Sequence, residues 1–454
     1  MEKIERVDKV LAEKYKGYAY MYAEYPNKGF WSKNIGEVEL KEALRKLPRY
    51  KPTEPTLLYL HFPFCQSICH YCSCYKIPSR NYDRAKKHLE FVNREIEMLG
   101  DFCSQEGIDT GIRQVHFGGG SPSDIKPEEF GELVRRINQV TNVRCLDEFT
   151  IEIDPRRVDR ERMIYYQSMG VSRISFGVQE FNLEVQKAIN RVQPPELLEE
   201  LMTPNIRSRF QSVSFDILYG LPQQTRVSFA ETMERVLEFS PDRVVLLSFN
   251  YSPDLNPNQR AIHESELPSL IEKEDMFFDS AQQMLDRGYV RVGLEHFVKP
   301  GDRLAKAWQT GNFNWNMGGY NLGRANKIIG VGPSSASRIT DDFYFQDSPG
   351  LDEYEESVAQ GRFPICKGYR LTQEDKIRRA ITTGLRSKLA LKFEDVEREY
   401  EIDFRKFFEK EMARLSEFED NGIIELDKNG IRVTPRGMPF VSFVCMNFDA
   451  YHRK

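Results

Sequence analysis

Between residues 56 and 249, short apolar, β-branched runs alternate with longer segments whose apolar residues recur every three or four positions. The runs 56–62 (TLLYLHF), 113–117 (RQVHF), 149–153 (FTIEI), 172–178 (SRISFGV), 212–218 (SVSFDIL) and 243–249 (RVVLLSF) predict six strands. Segments 83–99 and 127–141 predict helices long enough for right-handed crossovers between parallel neighbours. This rhythm predicts an α/β fold, a partial (β/α)6 barrel of the TIM type, with chemistry on the loops that follow the strands. Four regions follow: an N-terminal extension over 1–50, the barrel over 51–300, a connecting region over 301–367, and a mostly helical domain over 368–454 containing a β-hairpin. A long helix is expected at 272–287, and the Gly- and Asn-rich stretch 311–332 reads as an irregular lid. The hairpin lies in 421–435 (NGIIELDKNGIRVTP), two alternating strands around Asn429-Gly430.

Charge and cysteine placement narrow the function. The 454 residues carry Lys+Arg 64 against Asp+Glu 69, a net charge of -5, without a strongly basic block. That argues against nucleic acid as a partner, although the C-terminal helices and hairpin have the outline of a winged helix. The N-terminus alternates acids and bases and no segment reaches the ~18 apolar residues of a membrane span, so a cytoplasmic location is expected. Cys65, Cys69, Cys72 and Cys74 crowd together, while Cys103, Cys145, Cys366 and Cys445 stand alone. Crowding in a reducing compartment points to metal rather than disulfides.

Cys65-Gln-Ser-Ile-Cys69-His-Tyr-Cys72 places three thiols in one short loop directly after the first strand. Three thiolates can hold three irons of a four-iron cluster and leave the fourth open to an external ligand, as catalytic metal sites keep one position free. Structural zinc is the competing reading, with His61 and His70 as ill-spaced substitutes for a second cysteine pair. Cys74 is too close to Cys72 to join the same cluster comfortably. Glu152 and Asp216 fall inside or at the ends of otherwise apolar strands, where a bare carboxylate is costly without a partner. That partner is either a cationic, hydroxyl-rich ligand or an ion pair, for example with Arg156 or Arg191.

The CxxxCxYC spacing after a first strand, with six βα units, resembles the radical S-adenosylmethionine (SAM) superfamily. The resemblance implies a [4Fe-4S] cluster on Cys65, Cys69 and Cys72, with its open iron chelated by the amino and carboxylate groups of SAM. It also implies a low-potential electron donor, a flavodoxin or ferredoxin, and release of a 5′-deoxyadenosyl radical. Within the superfamily the chain is similar over nearly its whole length to the oxygen-independent coproporphyrinogen III oxidases, through LYLHFPFCQSICHYCSC, HFGGGSPS, IEIDPR, SFGVQEFN, FDILYGLPQQT, FNYS and VCMNFDAYH. By that resemblance Gly119, Gly120 and Ser121 admit the methionyl amino group and Tyr71 packs near the adenine. Glu152, Gln179, Arg191 and Asp216 make the remaining contacts, with Tyr59 and Ser252 nearby. Cys74 serves activity rather than ligation.

Two departures from that family redirect the expected acceptor. Its N-terminal Pro-Arg-Tyr-Thr-Ser-Tyr-Pro-Thr-Ala becomes Tyr20-Met21-Tyr22-Ala23-Glu24-Tyr25-Pro26-Asn27-Lys28, so Met21 replaces an arginine suited to propionates and Glu24 adds a like charge. Its Gln-Gly-x-Thr-Asp-Leu-x-Gly-x-Gly becomes residues 323–332 (GRANKIIGVG), without the glutamine or the Thr-Asp pair. The pattern is similar to the class C radical SAM methyltransferases, which bind two SAM molecules at once. The expected function is therefore transfer of a methyl group to an sp² ring carbon of a quinone, C8 of menaquinone, with transient contact at the membrane surface. Tyr15, Tyr18, Tyr20, Tyr22, Tyr25, Phe30, Trp31, Phe313, Trp315 and Tyr320 suit either a flat acceptor ring or ordinary core packing. The alternatives are the parent oxidative decarboxylation of coproporphyrinogen III, which needs another cation such as Lys14, Lys16 or Lys28, and haem delivery as a chaperone.

Overall fold

The computed structural model describes residues 4–15, 20–48, 54–323 and 325–452. Six parallel strands run where the sequence pattern places them: β1 (Thr56–Phe62), β2 (Ile112–Gly119), β3 (Glu148–Ile153), β4 (Arg173–Gln179), β5 (Ser212–Tyr219) and β6 (Arg243–Ser248). They are neighbours in that order. Helices Tyr82–Glu106, Pro127–Val140 and Arg226–Phe239 lie in three of the crossovers. The first starts where the Asn81 side chain accepts from the Asp83 N–H and stops where Gly107 turns left-handed, and the third starts at a capping box between Thr225 and Ser228.

The period-two alternation of a strand divides its residues between two faces. On β3 to β5, Phe149, Ile151, Ile153, Ile174, Phe176, Val213, Phe215 and Ile217 pack in the main apolar core. Glu148, Thr150, Glu152, Arg173, Ser175, Ser212, Ser214 and Asp216 alternate with them and project into the barrel. The barrel interior is thus a polar column, and its upper end opens into the site.

The sheet extends beyond the six strands. β1 also pairs in parallel with Lys327–Val331, which leads antiparallel to Ala336–Thr340, Phe343–Asp347 and Ile365–Arg370. β6 pairs antiparallel with His296–Val298, and that strand with Val290–Val292. The stretch expected to be an irregular lid is therefore mostly regular: Phe313–Asn316 and Gly319–Leu322 form a hairpin, and Lys327–Val331 extends the parallel sheet beyond β1. Its glycines and asparagines make the hairpin turn, where Asn316 Oδ1 accepts from the Gly318 N–H at 2.8 Å. Arg324 lies outside the described residues.

The aromatic residues considered as a bed for a flat ring pack against protein instead. Phe313, Trp315 and Tyr320 are buried in a cluster with Leu304 and Leu322. Tyr22 and Tyr25 are buried in the C-terminal core, Tyr15 stacks on Phe418 at 5.7 Å, and Trp31 stacks on Tyr344 at 5.0 Å. Phe30 rests against Tyr451 at 4.7 Å and Tyr20 against Tyr22 at 5.2 Å; Tyr18 lies outside the described residues. In the C-terminal domain Ala390–Lys392, Gly430–Val433 and Ile424–Leu426 form a three-stranded sheet. Its turn centres earlier than Asn429-Gly430, because Asp427 Oδ1 accepts from the N–H groups of Asn429 and Gly430 at 2.7 and 2.9 Å. Among the described residues no helix is long and apolar enough to cross a membrane.

Candidate active site

A cavity of about 550 Å³ opens at the C-terminal ends of the strands. Every residue expected from the sequence to hold the cluster or SAM, and Cys74 with them, lines it except Tyr59. Cys69 is buried, Cys65 and Cys72 are half-buried, and Cys74 is exposed. The loop that carries them is held by a short parallel pairing of Phe64–Cys65 with Ile77–Pro78. Burial, then the neighbouring Cys72 and Cys69, push the Cys65 thiol up to about 12. A hydrogen bond from the Cys74 thiol, with Lys76 and Arg191 nearby, brings Cys72 down to about 6 against its burial.

The Gly-rich turn after β2 wraps the same loop. Gly119 has φ +112, which L side chains rarely adopt, and a Cβ on Gly120 would come within 2.7 Å of the Pro63 carbonyl. The Glu152 carboxylate takes hydrogen bonds from His116 Nε2 at 3.0 Å and the Gly119 N–H at 3.3 Å. Burial pushes this carboxyl up, but His116 and Gly119 outweigh it and leave it below the usual range. Among the described residues Asp216 accepts only from the Ser175 hydroxyl, at 3.1 Å, and burial followed by the charge of Glu152 raises it to about 6. Tyr59 stands one layer back, 3.2 Å from His61 Nδ1 and with its ring 5.6 Å from that of His116. Gln179 ends β4 with φ +67 at a register shift against β5, a conformation that a non-glycine residue holds at a cost and that aims its amide at the cavity.

The ion pairs considered for Glu152 and Asp216 are absent among the described residues, because both arginines go elsewhere. Arg156 Nη2 lies 2.7 Å and Arg191 Nη1 3.2 Å from Asp154 Oδ2. Arg191 also donates to the Gly177 carbonyl at 2.5 Å and approaches Cys69 Sγ at 3.6 Å, while its buried Nε has no partner among the described residues. Asp154 was not foreseen, although its place directly after β3 in IEIDPR marked it as a loop residue at the barrel mouth.

Two further residues escaped the sequence reading because they lie some 190 positions from the loop they hold. Asn258 Nδ2 donates to the carbonyls of Cys69, His70 and Cys72 at 3.2, 2.9 and 2.9 Å. Gln259 is buried; it donates to the Tyr71 carbonyl at 3.1 Å and accepts from the Ser252 N–H at 2.6 Å. Together they fasten the cysteine loop to the segment after β6. No signal in the local sequence distinguishes them.

These residues fit an iron–sulfur cluster with SAM. Among the described residues no three His, Cys, Asp or Glu side chains converge on one metal ion. A single zinc needs such convergence, with sulfurs ~2.3 Å from one centre, whereas a cluster keeps its thiolates apart. The Arg191 Nε and the Glu152 and Asp216 carboxylates, which pair with no lysine or arginine among the described residues, are the groups that an amino acid carboxylate, ammonium and ribose hydroxyls would satisfy.

Comparison with known proteins identifies the family. Residues 59–236 match the Radical SAM superfamily and residues 371–440 the HemN C-terminal domain. The oxygen-independent coproporphyrinogen III oxidase of Pseudomonas aeruginosa is 35% identical over 450 residues, 98% of this chain and 96% of the relative. That of Escherichia coli K12 is 31% identical over 447 residues, again 98% and 96%. A solved structure described as coproporphyrinogen III oxidase (HemN) from Escherichia coli, a radical SAM enzyme, superposes with a TM-score of 0.87 at 30% identity, covering 98% of this chain and 100% of that one. These relatives overturn the expected menaquinone methyltransferase. That reading rested on residues missing from two short segments, and the aromatic bed it needed is core packing. The chain is a radical SAM enzyme whose cofactors are a [4Fe-4S] cluster and SAM, and it belongs to the oxygen-independent coproporphyrinogen III oxidase family.

Proposed function

We propose that the chain oxidatively decarboxylates two propionates of coproporphyrinogen III to vinyl groups. The observation that carries this reading is one cavity that gathers three thiols, a glycine turn and two carboxylates that pair with no lysine or arginine among the described residues, in a chain alike to the oxidases from end to end. Each propionate gives up carbon dioxide and one hydrogen atom from the carbon attached to the ring, and passes one electron to a one-electron acceptor. When bound, the cluster and SAM supply the hydrogen-abstracting chemistry, primed by a low-potential donor such as a flavodoxin or ferredoxin. Cys65, Cys69 and Cys72 hold the cluster. Gly119, Gly120 and Ser121 would give backbone room beside it, Arg191 would pair with the amino acid carboxylate, and Glu152 and Asp216 would accept from ammonium or hydroxyl donors. Asp154 fixes Arg191, and Asn258 and Gln259 fix the loop, so the site is set before the ligand arrives.

Cluster-loaded enzyme, incubated without oxygen with SAM, a reductant and coproporphyrinogen III, should yield the divinyl product by mass spectrometry. Unchanged substrate, with SAM intact and iron content confirmed, would remove the reading.

A further inference from the structure

A substrate with four propionates needs cations at the site, and the N-terminal segment supplies none among its described residues. Met21 lines the cavity with an apolar side chain. Lys14 pairs with Glu417 at 3.0 Å, Lys28 lies over the Trp31 ring, and neither lines the cavity; Lys16 lies outside the described residues. Of the cations that do line it, Arg156 and Arg191 share Asp154, and Arg157 Nε binds Asp124 at 2.9 Å. Each guanidinium already has its carboxylate.

Lys76 differs. Its Nζ donates to the carbonyls of Cys72 and Cys74 at 3.0 and 3.2 Å, and it makes no ion pair among the described residues. An ammonium has three N–H groups, so one remains for an incoming acceptor. The side chain is half-buried at the exit of the cysteine loop, and no carboxylate among the described residues pairs with it. A carboxylate supplies both the hydrogen bond and the charge.

We infer that Lys76 anchors a carboxylate of the substrate beside the cluster loop, replacing the cation that Met21 does not provide. This rests on the oxidase reading. An ammonium beside the reacting carboxylate would stabilise its charge and oppose its loss as neutral carbon dioxide. Lys76 therefore holds a propionate that the substrate keeps, and orients the ring so that another reaches the site. It is a binding residue, and its removal acts on affinity first.

The test uses anaerobic, cluster-loaded full-length enzyme and the fluorescent porphyrin coproporphyrin III as probe. Lys76→Gln keeps a donor for the loop carbonyls without the charge, and Lys76→Arg restores the charge. Loss of a charge-assisted hydrogen bond predicts at least roughly tenfold weaker binding for Lys76→Gln. Lys76→Arg should stay within about threefold of wild type, both variants should keep wild-type iron content, and the tetramethyl ester of the probe should bind wild type and Lys76→Gln equally. Equal affinity of wild type and Lys76→Gln for the free acid would overturn the inference. So would loss of iron together with affinity in Lys76→Gln, which would make Lys76 a support for the loop. If wild type turns over coproporphyrinogen while Lys76→Gln binds normally, only the inference falls. If wild type neither binds the probe nor decarboxylates, the oxidase reading falls and takes the inference with it.

Discussion

At the N-terminal ends of the strands, Glu148 is held between Arg173 at 2.9 Å and Arg243 at 2.8 Å, and Arg243 reaches Asp302 at 3.0 Å. At the C-terminal ends of the same strands, no lysine or arginine among the described residues pairs with Glu152 or Asp216. The two ends use the same inward-facing alternation and bury similar groups. At the lower end burial pushes Glu148 up, but the two guanidiniums outweigh it and hold the carboxyl down at about 2. At the upper end Asp216 is left at about 6. A closed charge network plugs a barrel; unneutralised carboxylates facing a cavity mark where a ligand completes the balance.

Substitutions at the two ends should therefore fail in different ways. Cys65→Ala, Cys69→Ala or Cys72→Ala should each abolish bound iron and SAM cleavage while the unloaded chain keeps its thermal unfolding midpoint; iron analysis beside calorimetry reads this. Arg243→Met should do the reverse, leaving Glu148 to Arg173 alone and Asp302 without its arginine, and costing about 3–5 kcal/mol of stability in denaturant titration. An unchanged midpoint would break the comparison from below. Asp216→Asn should weaken SAM binding by roughly tenfold or more, with no loss of stability because the carboxylate has no cation to strand. Calorimetric titration and thermal unfolding separate the two effects.

The smallest effect is pH dependence. Asp216 has a folded value near 6 against an ordinary 3.8, so the folded state binds the proton more tightly than the unfolded one. Its ionisation lowers the stability of the ligand-free protein progressively as pH rises from about 3.8 to 6. Glu148, held near 2 against an ordinary 4.5, works oppositely: its contribution is present above pH 4.5 and is lost as pH falls toward 2. Asp216→Asn should therefore gain in unfolding midpoint over wild type between about pH 4 and 6 and level off above, and a flat difference would contradict the assignment.

The strands were legible because alternation and β-branching are local, and the cysteine loop because its spacing is chemistry written in order. Segment 311–332 was misread because Gly and Asn serve a hairpin turn as readily as a loop, and because Lys327–Val331 is short and interrupted by Gly330. Lys14 and Lys28 were proposed from nearness to Met21 along the chain, yet they turn to Glu417 and Trp31. Asp154, Asn258 and Gln259 were overlooked for the complementary reason. Their roles exist only after loops far apart in sequence meet at the barrel mouth.

The most direct test of the account is to count carbon dioxide released from coproporphyrinogen III labelled in its propionate carboxyl groups, with the cluster-loaded enzyme, SAM and reductant under nitrogen. The account predicts two labelled molecules per porphyrinogen, dependent on SAM and abolished in the Cys69→Ala variant. SAM cleavage without labelled carbon dioxide would contradict it.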